Sequence, residues 1–138
     1  MAGSSDERDP IVRPPRPGTQ GRGAAAEVLA ERYLAARGLT VLARNVRCRG
    51  GEIDLVGLER GTLVFVEVRL RAGTGFGGAA ASITAHKQRR IILAARWWLA
   101  GAGRGHARRA CRFDAVLLDG LDENRIEWIP AAFDATGS

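Results

Sequence analysis

The sequence predicts an α/β fold, a mixed central β-sheet flanked by helices in the order α-β-β-β-α-β-β. Three observations predict it. Two apolar, β-branched runs, Gly50–Val56 and Val64–Arg69, read as buried strands one short turn apart. Two longer stretches repeat their apolar residues with helical period. Two more strand-like runs follow the second of these stretches. At 138 residues the length suits one domain with a modest core.

The elements follow in order. Pro10, Pro14, Pro15 and Pro17, with Gly18, Gly21 and Gly23, show no periodicity. Residues 1–22 are therefore expected as a disordered tail and 23–138 as a single domain. The tail's charges nearly cancel, so it is assigned no site. Ala24–Arg37 reads as a helix ended by Gly38. Its buried stripe is Ala26, Leu29, Ala30, Tyr33 and Leu34, with Glu27 at the edge. Leu39–Val46 is the first strand. Glu52–Val56 and Leu63–Leu70 form a hairpin through Arg60-Gly61. Arg71–Gly78 is a glycine-rich loop without the Gly-Lys-Ser/Thr ending of a phosphate-binding loop. The second helix runs from Thr84 to Ala100, capped by Ser82 or Thr84. Ile91, Ile92, Ala95, Trp98 and Leu99 form its core stripe, with Lys87 at the edge of that stripe. Arg89 and Arg96 lie on the opposite face, while Arg90 and Trp97 share a flank. Arg112–Leu118 and Arg125–Ile129 are the last two strands.

Two acids sit inside the buried runs. A carboxylate there costs several kcal/mol unless it is paired, hydrogen-bonded or bound to a metal. Side chains alternate along a strand, so Glu52, Asp54 and Val56 are expected on one face. On the next strand Phe65, Glu67 and Arg69 share a face. The hairpin then lets Asp54 meet Glu67, with Arg69 one step beyond. Two carboxylates on neighbouring strands can build a divalent-cation site. The alternative is an in-sheet pair of Asp54 or Glu67 with Arg69, which leaves two or three acids competing for one arginine. Glu52 reads as a solvated or arginine-paired acid.

These residues carry a resemblance. An Asp, then a Glu-x-Lys on the next strand, after a helix bearing a Glu, is similar to the restriction-endonuclease-like nuclease superfamily. The runs Gly-Glu-Ile-Asp-Leu and Phe-Val-Glu-Val-Arg, with Gly75–Gln88, look more narrowly like the bacterial YraN family. That family is placed beside Holliday-junction resolvases on fold similarity, and the likeness covers roughly Gly23 to Ala132. It implies a restriction-endonuclease-like sheet, Mg²⁺ or Mn²⁺ held by Asp54 and Glu67, and the Val68 carbonyl as a third ligand. Glu27 matches the family's helix acid and would complete the shell. The sequence departs from the superfamily pattern at Arg69, where lysine is usual. Arginine stabilises charge but does not titrate as a base. Lys87 is then the candidate to substitute from the helix. Either the site is a working variant, or it binds metal or nucleic acid without efficient cleavage.

Composition bounds the rest. The formal charge is +6, and Lys87 is the only lysine among 21 basic residues. Arginine forks match phosphate oxygens, so a nucleic acid, DNA above all, is the expected partner. A compositional bias toward arginine explains the same excess. Cys48 and Cys111 form no Cys-x-x-Cys, which argues against zinc or a disulfide framework. Both are expected as reduced, partly buried thiols. His86 and His106 read as surface residues, Trp98 as packing, and Trp97 as packing, stacking or an interface residue. Asp114 reads as a strand acid paired with arginine. With no run of about 18 apolar residues and no secretory leader, the expectation is a cytoplasmic chain without a membrane span. Resolvase-like action would need a homodimer, since two strands must be cut.

Overall fold

The computed structural model describes residues 19–71 and 83–135. Five strands form one sheet in the order β1-β2-β3-β4-β5. They are β1 (Thr40–Cys48), β2 (Gly51–Glu59), β3 (Thr62–Arg71), β4 (Cys111–Asp119) and β5 (Ile126–Phe133). The β3–β4 pair is parallel and the others are antiparallel. A parallel neighbour needs a crossover, and helix α2 (Ala85–Ala100) supplies it. Helix α1 (Thr19–Ala36) precedes the sheet. The mixed sheet flanked by helices is as the sequence predicts. The helix starts inside the segment expected as tail, because Thr19–Arg22 belong to α1. The remainder of the expected tail, the expected glycine-rich loop beyond position 71, and residues 136–138 lie outside the described residues.

Each helix covers one face of the sheet. Ala26, Ala30 and Leu34 recur every four residues along α1 and are buried against Leu55, Val64, Val66, Val116 and Leu118. The helix ends in a Schellman arrangement. Leu39 N–H donates to the Leu34 carbonyl at 3.0 Å and Gly38 N–H to that of Ala35 at 3.2 Å, with Gly38 at φ +103°. On the other face Ile91, Ile92, Ala94, Ala95 and Trp98 of α2 pack on Ile53, Val56, Leu63, Phe65 and Phe113. The Thr84 hydroxyl caps this helix by accepting the Lys87 N–H at 3.0 Å. Gly51 lets α2 sit directly on β2, since a Cβ there would lie 2.4 Å from the Arg90 carbonyl oxygen. That contact fixes where Lys87 stands over the sheet.

The β2–β3 hairpin closes through Arg60 (φ +51°) and Gly61 (φ +82°), two positive angles that twist with the strands. At the far edge β5 carries a bulge around Ala131 (φ +53°). Asp114 holds it. This fully buried carboxylate accepts the Ala131 N–H at 2.9 Å, the Trp128 indole N–H at 2.8 Å, and both arms of Arg112 at 2.9 Å. Arg112 also binds Glu59 at 2.8 Å. All of the Asp114 contacts are structural.

Candidate active site

The β2–β3 ladder runs from Glu59↔Thr62 up to Leu55↔Val66. One step further stand Asp54 and Glu67, and there the regular pairing stops. Across from Asp54 on β1 is Asn45, between the pairs Arg44↔Leu55 and Val46↔Ile53. Asn45 sits at φ +50°, a left-handed conformation that asparagine tolerates better than most residues. Alternation breaks at this point. Ile53 and Val56 both pack on the α2 side, while Leu55 packs on the α1 side. The expected single face for Glu52, Asp54 and Val56 is therefore corrected, because the kink turns the strand over at Asp54. The Asp54 carboxylate reaches across the gap, where its Oδ2 accepts the Val68 N–H at 2.8 Å. Asp54 thereby replaces a lost ladder bond.

Five more charged side chains meet there. Asp54 hydrogen-bonds the carboxyls of Glu67, from β3, and of Glu27, from α1. Glu27 also bonds the Asn45 side chain. Lys87 Nζ, from α2, donates to Glu52 Oε2 at 3.1 Å and lies 3.6 Å from Glu67 Oε2. Arg69 approaches the same Glu67 oxygen at 3.9 Å. Both helices and two strands thus contribute to one spot at the point where β2 and β3 part.

Crowding sets the protonation. Burial and then the Asp54 charge push Glu67 up to about 8, against the pull of Lys87 and Arg69. Burial, followed by Asp54, raises Glu27 to about 7, against Arg47. Burial raises Asp54 as well, opposed by the Val68 amide, the Glu67 hydrogen bond and Lys87. A carboxyl–carboxyl hydrogen bond needs a proton, so Glu27 and Glu67 act as donors to Asp54. Burial would lift Glu52 too, but the Lys87 hydrogen bond and charge hold it below the ordinary range. Burial would depress Lys87, yet Glu67 and Glu52 keep it raised. Lys87 is therefore an ammonium, unable to serve as a free base until it leaves these acids.

Residues 26–118 match the profile described as uncharacterised protein family UPF0102. The chain belongs to that family. The chain is 55% identical over 113 residues to a UPF0102 protein of Methylobacillus flagellatus, covering 82% of this chain and 96% of that protein. It is 56% identical over 120 residues to one from Cupriavidus taiwanensis, covering 86% and 87%. A UPF0102 protein of Nitrosomonas europaea is 55% identical over 113 residues, covering 82% and 93%. The α-β-β-β-α-β-β order of this UPF0102 chain is that of the restriction-endonuclease-like fold, as the sequence resemblance implies.

That fold is associated with metal-dependent nucleases, so the acids invite a fit test. Among the described residues, no group of three or more His, Cys, Asp or Glu side chains is arranged to hold a metal ion. The acids form a chain, Glu27 to Asp54 to Glu67, instead of a convergent cage. The kind of donor does suit a hard cation. Mg²⁺ keeps several waters and takes one or two carboxylates with substrate phosphate. Asp54 and Glu67 supply two carboxylates, already in contact through a proton that a cation would displace.

Glu52 departs from its expected solvated or arginine-paired state, since it holds Lys87. Asn45 went unnoticed in the sequence. Its signal was an asparagine inside a strand, where the residue is depleted. Cys111 is exposed, not partly buried. The His106 ring is half-buried and stacks on Trp98 at 6.0 Å between centroids, packing instead of lying free on the surface. Among the described residues, no helix is long and apolar enough to cross a membrane.

Proposed function

We propose that this UPF0102 protein is a divalent-metal-dependent endonuclease acting on structured DNA in the cytoplasm, with Asp54 and Glu67 at its centre. One observation carries the reading. A buried carboxyl, Glu67, and a half-buried one, Asp54, share a hydrogen bond beside a lysine ammonium, at a break in the sheet that is wasteful for folding alone. Bound Mg²⁺ or Mn²⁺ would supply Lewis-acid polarisation of a phosphoryl oxygen and an activated water. Asp54 and Glu67 would hold the ion, with Glu27 and the Val68 carbonyl as further ligands. Asp54 is oriented by the Val68 N–H and Glu67 by Lys87. Lys87, once phosphate competes for it, would stabilise charge developing on the scissile group. Arg69 would clamp a phosphate in its fork and keep Glu67 in place. Cutting both strands of a junction would require a homodimer.

The test is nicking of branched and linear labelled DNA with Mg²⁺ or Mn²⁺, beside Asp54→Ala. Metal-dependent cleavage by the wild type alone is expected. Calorimetric titration with Mn²⁺ accompanies it, and equal heats from both proteins would remove the metal from the reading. A second reading is a non-catalytic DNA-binding module. It is favoured by Lys87 being tied to Glu52 and Glu67, and by arginine at position 69. DNA binding without cleavage by wild type or Arg69→Lys, with either metal, would establish it.

A further inference from the structure

Helix α2 has two charged sides, and the candidate active site uses only one. Its sequence holds four basic residues, Lys87, Arg89, Arg90 and Arg96, and no acid. Lys87 turns to the carboxylates, and the charge of Arg90 acts on Glu52. Arg89 and Arg96 make no ion pair among the described residues. With Gln88, Ile92, Leu93 and Ala135 they line a groove of about 570 Å³. Beside it Leu93 is 45% exposed and Trp97 54% exposed. Arg89, Leu93, Arg96 and Trp97 are spaced four, three and one apart, which places them on one helical face. At about 100° per residue, Arg90 falls between Trp97 and Lys87. Around the helix the order is therefore groove, Trp97, Arg90, Lys87, with Trp97 about 15 Å along the axis from the lysine that holds the carboxylates.

We infer that this face of α2 binds an unpaired DNA strand, with the arginines on its phosphates and a base stacked on Trp97. The reasoning is charge and shape. Arg89 and Arg96, exposed and about 10 Å apart along the axis, offer forks that suit phosphate oxygens. An exposed indole beside Arg96 matches the stacking platforms on which single strands lie. Duplex DNA would satisfy the arginines but hides its base faces, leaving Trp97 and Leu93 in water. A second copy packed about a two-fold axis through this face would bring arginines against arginines. This inference rests on the endonuclease reading for its placement beside the acids, and it narrows the substrate to DNA with an unpaired segment next to the cut.

The test is fluorescence anisotropy with labelled oligothymidylate and with a blunt duplex, at fixed salt in the presence of a chelator. Trp97→Ala should weaken oligothymidylate binding by about five-fold to one hundred-fold. Trp97→Phe should keep most of the affinity, since a ring still stacks. Duplex binding should stay within about two-fold in both. Arg89→Gln with Arg96→Gln should weaken both ligands and flatten the salt dependence. Unchanged oligothymidylate binding by Trp97→Ala would overturn the inference. So would a Trp97→Ala protein that binds DNA normally but sediments as a smaller species, since the face would then be a protein interface. Chelation keeps metal and cleavage out of the assay, so a failure here leaves the nicking result standing, and the reverse.

Discussion

Replacing Glu67 by glutamine should make the protein more stable at high pH. Glu67 is 4% exposed and lies between the Asp54 carboxylate and the Lys87 ammonium. Burial first, and Asp54 second, lift its carboxyl from 4.5 to about 8. In the unfolded chain a glutamate ionises near 4.3. The folded state thus binds the extra proton between these values. A raised carboxyl gives stability that is complete below about pH 4 and is lost as pH rises through about 8. At about 1.4 kcal/mol per pH unit the ceiling is about 5 kcal/mol. Asp54 shares that proton, so the expected loss between pH 5 and pH 9 is about 2–3 kcal/mol. Glu27, raised to about 7, acts in the same direction but is only half-buried and contributes less. Glutamine keeps the shape and still donates to Asp54, without ionising.

Urea denaturation followed by circular dichroism at pH 5, 7 and 9 measures this. Wild type should lose stability along the series, Glu67→Gln should stay flatter, and the variant should be the more stable at pH 9. At that pH, Mn²⁺ at about one hundred times its Kd should return about 2.7 kcal/mol to wild type and nothing to Asp54→Ala. A wild-type stability that does not change with pH, or a variant that is weaker at pH 9, would refute the proton sharing on which the argument stands.

Three further outcomes are expected. Asp114→Ala should cost about 2–4 kcal/mol, because it takes the acceptor from the Trp128 indole and the Ala131 N–H, unties the β5 bulge and leaves the half-buried Arg112 with Glu59 alone; thermal denaturation reads it. Gly51→Ala should cost about 1–3 kcal/mol and loosen Lys87 from Glu52, because α2 must lift off β2; denaturation and the NMR titration of Glu52 report the two effects. If the site cleaves, Lys87→Ala should lower the single-turnover rate far more than DNA affinity, whereas Arg69→Ala should lower both and Arg69→Lys should keep or raise the rate. An unchanged rate in Lys87→Ala would reduce that lysine to a structural ion pair.

The fold was legible because it depends on period and punctuation. Ala26, Ala30 and Leu34 before Gly38, and Arg60-Gly61 between two β-branched runs, each state a local geometry that packing then respects. Of the site, the pairing of Asp54 with Glu67 was legible for the same reason, since a hairpin register follows from its turn. The identity of Lys87 as their neighbour was legible from helix phase. What period could not reveal was the place where period fails. β2 turns over at Asp54, opposite Asn45 at positive φ, and no alternating pattern anticipates a reversal of alternation. Glu52 escapes the pattern for a related reason. Its partner is set by how closely α2 lies on Gly51, a tertiary distance between segments far apart in the sequence.

The break at Asp54 also accounts for how one short strand serves two helices. A regular β2 would show Asp54 to only one face of the sheet. With the strand turned over beside Asn45, the carboxylate sits in the gap itself, where Glu27 reaches it from the α1 side and Glu67 and Lys87 from the α2 side. The same gap frees the Val68 N–H to orient it. Each feature is unfavourable in isolation: a missing ladder pair, a left-handed asparagine, and buried acids that must share protons. Together they satisfy one another, as costly local choices do when a site and not a core is being built. Asn45→Val should therefore separate the two roles. Valine favours the regular strand and resists positive φ, so it should restore the ladder at Asp54 and Glu67 and turn Asp54 toward one face. The expected result is β2 amide protection extending past Leu55 in hydrogen exchange. A protein that keeps the gap open despite the valine would show that the acids, not the asparagine, hold the strands apart.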